Sequence, residues 1–141
     1  MRVLFYNAER CVACRTCEEA CSETFFREVD AEKSKIRIHS EGDGLPSASF
    51  CNQCGECISV CPADAIYRDK RGVVRIRREL CVGCLTCVGF CPSLVMYWHV
   101  DETVPFKCVS CGICARECPE DALEIVEVDE PPAPAEPYES V

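Results

Sequence analysis

Residues 11–21, Cys-Val-Ala-Cys-Arg-Thr-Cys-Glu-Glu-Ala-Cys, contain the spacing on which the whole chain is built. The same Cys-x2-Cys-x2-Cys-x3-Cys spacing returns at residues 51–61, 81–91 and 108–118, and the four motifs use all sixteen cysteines. Three thiolates at intervals of three residues can hold three corners of an iron–sulfide cube, and the fourth lies one helical turn further on. The spacing therefore predicts [4Fe-4S] ligation, with iron bound through all sixteen cysteines.

Two other uses of cysteine fit this pattern less well. Zinc sites usually combine two Cys-x2-Cys pairs across a longer loop, whereas each motif here has three cysteines at successive intervals of three. A disulfide scaffold needs an oxidising compartment, and residues 1–10 lack the apolar core of a secretory signal. No apolar run approaches the ~18 residues of a membrane span. We expect a cytoplasmic protein with four clusters and no membrane span.

The composition limits both the core and the partners. Sixteen cysteines in 141 residues leave little room for a separate apolar core, so each cluster should act as an inorganic core. Folding should therefore be coupled to metal insertion. The formal net charge of -9 makes nucleic acid an unfavourable partner and favours a basic surface on another protein.

The four motifs are of two alternating types. The first and third share Cys-Val-x-Cys-x-Thr-Cys, whereas the second and fourth share Cys-Gly-x-Cys followed by Cys-Pro-x-Asp-Ala. Proline follows the last cysteine in motifs 2, 3 and 4, but Ser22 follows it in motif 1. The alternation indicates an internal repeat of a two-motif unit.

Short strands and helical turns should connect the motifs. We predict strands at 3–6, 35–39, 65–67, 73–76, 95–100 and 123–126, with residues 69–72 as a hairpin turn. A helix should cover Cys17 to Val29, which has no internal proline or glycine. Residues 40–49 (with Gly42, Asp43, Gly44 and Pro46) predict a loop, and residues 129–141 a proline-rich, acidic extended tail.

These motifs resemble the ferredoxin-like subunits with four [4Fe-4S] clusters that accompany molybdenum and tungsten oxidoreductases. Ser22 in place of proline is similar to the first motif of that family, and the resemblance covers about residues 2–128. Many family members carry an insertion between the second and third cysteines of motif 2. Cys54-Gly55-Glu56-Cys57 has none, which looks more like the polyferredoxin partners of tungsten aldehyde oxidoreductases.

The resemblance implies an α+β fold of two pseudo-symmetric, bacterial-ferredoxin-like dicluster modules. Short helices and small hairpins would wrap around the clusters of one double domain, residues 1–128. Module A would comprise about 1–40 plus 92–128, and module B about 50–91. Motif 1 would share its clusters with motif 4, and motif 2 with motif 3.

This nested pairing implies one ligand set for each cluster. The sets are Cys11, Cys14, Cys17 and Cys118 for cluster 1; Cys21, Cys108, Cys111 and Cys114 for cluster 2; Cys51, Cys54, Cys57 and Cys91 for cluster 3; and Cys61, Cys81, Cys84 and Cys87 for cluster 4. The 19 residues between Cys61 and Cys81 resemble the spacer of two-cluster ferredoxins. Sequential pairing of motif 1 with 2 and of 3 with 4 stays open, since the internal repeat suits it.

The expected function is electron transfer without catalysis. Nothing in the sequence suggests a nucleophile–base pair, a phosphate-binding loop or a flavin site. We expect a non-catalytic subunit of a larger oxidoreductase of anaerobic metabolism. It would bind a larger catalytic redox subunit, and the relay role allows a second electron-acceptor subunit as a further partner. The alternatives are a free, diffusible polyferredoxin; a subunit of a hydrogenase, formate dehydrogenase or carbon monoxide dehydrogenase; and an iron–sulfur assembly or sensing protein.

Overall fold

The computed structural model describes residues 1–40 and 44–134. It contains six short strands: β1 (Arg2–Tyr6), β2 (Arg37–His39), β3 (Ser47–Ser49), β4 (Ile66–Arg68), β5 (Val74–Ile76) and β6 (Leu123–Glu127). It also contains three helices: α1 (Thr16–Phe26), α2 (Thr86–Phe90) and α3 (Ile113–Glu117). Single 3-10 turns at Ala31–Lys33 and Ile58–Val60 complete the described secondary structure.

The two ends of the fold are joined by one antiparallel pair of strands. β1 pairs with β6 in the register Arg2–Glu127 to Tyr6–Leu123. This pairing brings motif 1, which follows β1, beside motif 4, which precedes β6. Helix α1 from motif 1 packs against α3 from motif 4, so the contact continues beyond the strands.

The residue after each fourth cysteine decides how long the preceding helix runs. Because proline disfavours helical backbone at the residue before it, Cys61, Cys91 and Cys118 all adopt extended backbone with ψ of 115° to 118°. In motif 1 the residue is Ser22, and α1 continues past Cys21 to Phe26. The Ser22 hydroxyl donates to the Glu19 carbonyl (3.2 Å) and accepts from the Asp30 N–H (3.2 Å).

The predicted hairpin and most predicted strands are confirmed. β4 and β5 pair around residues 69–72, and the Asp69 carboxylate accepts from the backbone N–H groups of Arg71 (2.9 Å) and Val73 (3.0 Å). Strands β1, β2 and β6 lie where alternation predicted them. The predicted helix is confirmed as α1, although it ends three residues before Val29.

Two predictions about local structure are wrong. The predicted loop 40–49 contains β3, which pairs with β2 from Arg37–Ser49 to His39–Ser47. The predicted strand 95–100 forms only an isolated bridge, between Tyr97 and Phe106. Gly42 and Asp43 of the loop, and residues 135–141 of the predicted tail, lie outside the described residues. The described part of the tail contacts motif 2, where the Asn52 side chain donates to the Ala133 carbonyl (2.9 Å).

Cysteines form a large part of the buried interior. The larger cluster of buried apolar residues has ten members, five of which are cysteines: Cys17, Cys21, Cys51, Cys108 and Cys114. A smaller cluster joins Cys57 and Cys87 to Ile66, Val74 and Met96. The ligand motifs and the core are therefore largely the same residues.

Candidate metal centres

Three cavities are each lined by four cysteines. One contains Cys11, Cys14, Cys17 and Cys118 (set 1), the next Cys21, Cys108, Cys111 and Cys114 (set 2), and the third Cys61, Cys81, Cys84 and Cys87 (set 4). Counting their open mouths, the empty spaces are about 330, 330 and 350 Å³, respectively. Near-equal spaces lined by the same donor type suit the same occupant.

The remaining four cysteines also lie near one another. The Cys57 thiol interacts electrostatically with Cys51 and Cys91, and the Cys54 thiol interacts with the same two. We call Cys51, Cys54, Cys57 and Cys91 set 3. The structure thus places Cys21 of motif 1 beside motif 4, and Cys118 of motif 4 beside motif 1. In the same way, Cys61 of motif 2 lies beside motif 3, and Cys91 of motif 3 lies beside motif 2.

Backbone N–H groups point at cysteine sulfurs in all four motifs. The pairs are Ala13 to Cys11 (3.4 Å), Lys35 to Cys21 (3.3 Å), Gln53 to Cys51 (3.3 Å), Ala65 to Cys61 (3.3 Å), Val95 to Cys91 (3.4 Å), Ser110 to Cys108 (3.4 Å) and Ala122 to Cys118 (3.4 Å). Such donors stabilise anionic sulfur, so the donor set fits thiolates that bind iron.

Residues with left-handed backbone conformation alternate along the cysteine-containing loop of each motif. In every motif the residues two and four places after the first cysteine have positive φ, from 53° at Ser110 to 85° at Gly55. Left-handed backbone of this kind turns successive N–H groups toward one centre, which makes an anion-binding concavity. Arg15 and Leu85 adopt it without glycine. At Gly55 a side chain would also overlap the Arg68 guanidinium, which donates to the Gln53 carbonyl (2.9 Å).

The four sets lie in the order 1, 2, 3, 4. Electrostatic contacts link Cys114 of set 2 to Cys17 of set 1, and Cys108 of set 2 to Cys51 of set 3. Cys57 of set 3 interacts in the same way with Cys87 of set 4. Sets 1 and 4 are therefore the outer sets, and sets 2 and 3 the inner sets.

The outer sets are open to solvent at equivalent positions. Cys14 and Cys84 are exposed, and each sulfur lies 3.3 Å from a threonine hydroxyl, that of Thr16 or of Thr86. These hydroxyls, together with the threonine backbone N–H groups, lower the pKa of both thiols. The shared valines of motifs 1 and 3 are also exposed, Val12 at 62% and Val82 at 71%. The shared motif therefore corresponds to an open edge.

The inner sets are more deeply buried. Five of their eight cysteines are buried, against two of eight in the outer sets. Burial raises the pKa of Cys108 to about 12, partly opposed by the Ser110 N–H and by the ammonium of Lys107. Burial likewise raises the pKa of Cys57 to about 12. Without iron these thiols stay protonated near neutral pH, so metal binding must release their protons.

Three buried polar residues near the sets were missed by the sequence analysis. The Glu18 carboxylate, 4% exposed, accepts from the Ile38 N–H (3.1 Å) and contributes to raising the pKa of Cys17 to about 12, after burial itself. Gln53 and Lys107, 0% and 3% exposed, lie between sets 2 and 3. A lysine directly before the first cysteine of a motif was the available sequence signal.

Comparisons with known proteins agree with this chemistry. Residues 10–66 and 50–95 match models of 4Fe-4S dicluster domains, and residues 102–124 match a 4Fe-4S binding domain. The electron transport protein HydN of Escherichia coli K12 is 40% identical over 89% of this chain and 88% of its own length. The chain belongs to the ferredoxin-like 4Fe-4S electron-transfer proteins. This ferredoxin-like protein therefore carries multiple [4Fe-4S] clusters.

Other relatives of the ferredoxin-like protein include a subunit of a reductase. The thiosulfate reductase electron transfer subunit PhsB of Salmonella typhi is 30% identical over 91% of the chain and 77% of its own length. The ferredoxin-like protein YdhX of E. coli K12 is 32% identical, and the chain spans 66% of its length. Of these two relatives, PhsB is by its name an electron-transfer subunit of an oxidoreductase. Among the described residues, no helix has both the length and the apolar character needed to cross a membrane.

Proposed function

We propose that the protein is a non-catalytic, four-cluster relay subunit of a molybdenum- or tungsten-containing oxidoreductase. When bound, the clusters would accept and release single electrons. The observation that carries the proposal is the row of four cysteine sets, with Cys14 and Cys84 exposed in the outer sets and five of the eight inner cysteines buried. PhsB, named as the electron transfer subunit of a thiosulfate reductase, supports the presence of a catalytic partner subunit.

Each set would hold one cluster through its four thiolates. Cys11, Cys14, Cys17 and Cys118 would hold cluster 1, and Cys21, Cys108, Cys111 and Cys114 cluster 2. Cys51, Cys54, Cys57 and Cys91 would hold cluster 3, and Cys61, Cys81, Cys84 and Cys87 cluster 4. The four-cysteine cavities and the N–H donors to sulfur support this nested ligation. Sequential pairing would instead require Cys21 beside motif 2.

The nested ligation divides the double ferredoxin-like domain, residues 1–128, into two pseudo-symmetric modules. Module A, about 1–40 plus 92–128, would be held by the β1–β6 pair and by α1 against α3. Module B, about 50–91, would be held by the β4–β5 hairpin and by the turn Ile58–Val60 against α2. The tail from 129 would follow module A.

The outer sets would face the redox partners. Electron exchange between proteins needs a short distance from cluster to surface, and Cys14 and Cys84 are the exposed ligands of the outer sets. Val12 and Val82 would supply apolar contact beside them, since exposed apolar groups at a functional edge mark interaction sites. One edge would meet the catalytic subunit and the other a second acceptor subunit, in the cytoplasm.

The regular spacing of Cys54 and Cys57, without an insertion, favours an aldehyde oxidoreductase of the tungsten type as the catalytic partner. Native copurification followed by metal analysis tests this assignment. Tungsten and iron in one co-eluting complex would support it, and molybdenum would redirect it to the reductases that resemble the PhsB system. Nickel, or a chain that elutes alone with its iron, would overturn the proposal in favour of a hydrogenase-type partner or a diffusible polyferredoxin.

A further inference from the structure

A buried cation lies between the two inner sets. The Lys107 side chain is 3% exposed, and its ammonium donates to the Cys108 carbonyl (2.9 Å) and to Gln53 Oε1 (2.9 Å). Cys108 belongs to set 2, whereas Gln53 stands between Cys51 and Cys54 of set 3. One ammonium therefore contacts the ligand loops of both inner sets.

Gln53 fixes the position of this ammonium through a buried hydrogen-bond network. Its side-chain amide, fully buried, donates to the Cys108 carbonyl (2.9 Å) and to the Ser110 hydroxyl (3.2 Å). Its carbonyl oxygen accepts from the Val74 N–H (2.9 Å) as well as from Lys107. Since all four hydrogen bonds connect separate segments, the network fixes motif 2, motif 4 and the β4–β5 hairpin relative to one another.

The buried charge has neutral hydrogen-bond partners. Both acceptors of the Lys107 ammonium in the described part of the chain are uncharged, a carbonyl and an amide oxygen. A buried charge is costly unless an opposite charge lies close to it. The thiolates of sets 2 and 3 supply anionic groups at this site when they bind iron, because Cys108 and Cys57 both interact electrostatically with Lys107.

We propose that Lys107, positioned by Gln53, raises the reduction potentials of the two inner clusters relative to the outer pair. A fixed positive charge stabilises the more negative, reduced state of a nearby cluster, and burial weakens the screening of that charge by water. The proposal rests on the cluster ligation proposed above. Lys107 would then tune the two inner clusters by its charge, with Gln53 as its positioning residue, and electrons would gather at the junction of the two modules.

Lys35 provides an internal comparison. Its side chain lines the cavity of set 2, and its backbone N–H donates to Cys21 Sγ (3.3 Å). Its charge interacts with Cys21, Cys108 and Cys111, all of set 2. Removing this charge should therefore affect one cluster, whereas removing the charge of Lys107 should affect two. Lys70, exposed on the hairpin turn, is a control because water screens its charge.

The test is a stepwise redox titration of the holoprotein, followed by electron paramagnetic resonance, with iron content measured for every sample. Wild-type protein with full iron and four one-electron steps establishes that four clusters are present, independently of Lys107. Lys107→Met should shift two of the four potentials to more negative values, Lys35→Met one, and Lys70→Met none. Lys107→Arg, which keeps the charge, should retain the wild-type pattern.

Four unchanged potentials in Lys107→Met, or four equal shifts, would overturn the proposal while leaving the clusters established. If Lys107→Met binds less iron than the wild-type protein, Gln53→Glu provides the second test of the proposal. This variant places a carboxylate beside the Lys107 ammonium, and the negative charge of the carboxylate offsets the positive charge of the lysine. The same two potentials should then move to more negative values. Unchanged potentials in a Gln53→Glu protein with its full iron content would also overturn the proposal.

Discussion

The outer and inner cysteine sets use the same spacing but differ in burial, with five of eight cysteines buried in the inner sets and two of eight in the outer sets. Cys14 and Cys84 are exposed, and each lies beside a threonine hydroxyl. Cys108 and Cys57 are buried near the hydrogen-bonded pair of Lys107 and Gln53. The motif spacing determines that a cluster can bind. On the proposed ligation, the residues between and around the cysteines would determine whether a cluster exchanges electrons with a partner or passes them on within the chain.

Iron removal should show the largest difference between the sets. Under an oxidant and a chelator, iron should leave the exposed outer sets first, and loss from the inner sets should abolish the cooperative thermal transition. The physical reason is that five of the ten residues of the larger buried cluster are cysteines, most of them inner ligands. Iron release followed in parallel with near-ultraviolet circular dichroism checks this. A fold that melts cooperatively after complete iron removal would contradict it.

Serine substitution at one inner and one outer cysteine should separate the sets further. Cys108→Ser buries a hydroxyl in place of a ligand and should lower the stability of the holoprotein by about 2 kcal/mol more than Cys14→Ser, where water can reach the hydroxyl. Iron content and thermal midpoint measured for both variants check the difference. Equal losses at the two positions would mean that burial does not distinguish the sets.

A negative charge added beside the outer sets should weaken partner binding without affecting the inner sets. Val12→Asp and Val82→Asp add a carboxylate beside an outer cavity, and each should weaken one redox-partner complex about tenfold, or about 1.4 kcal/mol. Val29→Asp, at a valine that is also 62% exposed but lines neither cavity, is the matched control. Binding to the copurified partner measures the effect, and equal weakening by the control would remove the outer edges as docking sites.

The threonine contacts should give the smallest effect. Thr16→Val and Thr86→Val each remove one hydroxyl near an outer sulfur, so the potential of one outer cluster should become slightly more negative. The shift should be smaller than that from loss of a buried charge, because Cys14 and Cys84 remain in contact with water. A redox titration of each variant checks this, and a shift in an inner cluster would contradict the separation.

The sequence predicted those features that depend on local chemistry. Cysteine spacing indicated the donor type, and residues 69–72 indicated the hairpin. β3 was missed because Ser-Ala-Ser has no β-branched or aromatic residue and is a strand only through pairing with β2. Residues 95–100 read as a strand from their apolar character, although only Tyr97 has a bridge partner.

Some site features depend on contacts that no local pattern encodes. Gln53 and Lys107 are 54 residues apart, and their hydrogen bond exists only because motifs 2 and 4 pack together. Glu18 looks like a surface residue of a helix until Ile38 from β2 covers it. Tertiary packing therefore decides which charged side chains lie beside the buried cysteine sets, and the motif spacing alone does not reveal it.

An iron anomalous-diffraction map of the crystallised holoprotein tests the central claim most directly. We predict four compact iron sites in one row, with Cys21 on the same cluster as Cys108 and with Cys61 on the same cluster as Cys81. Lys107 should lie between the second and third sites. A map that placed Cys21 on a cluster held by Cys51, Cys54 and Cys57 would contradict the nested ligation and, with it, the division into inner and outer clusters.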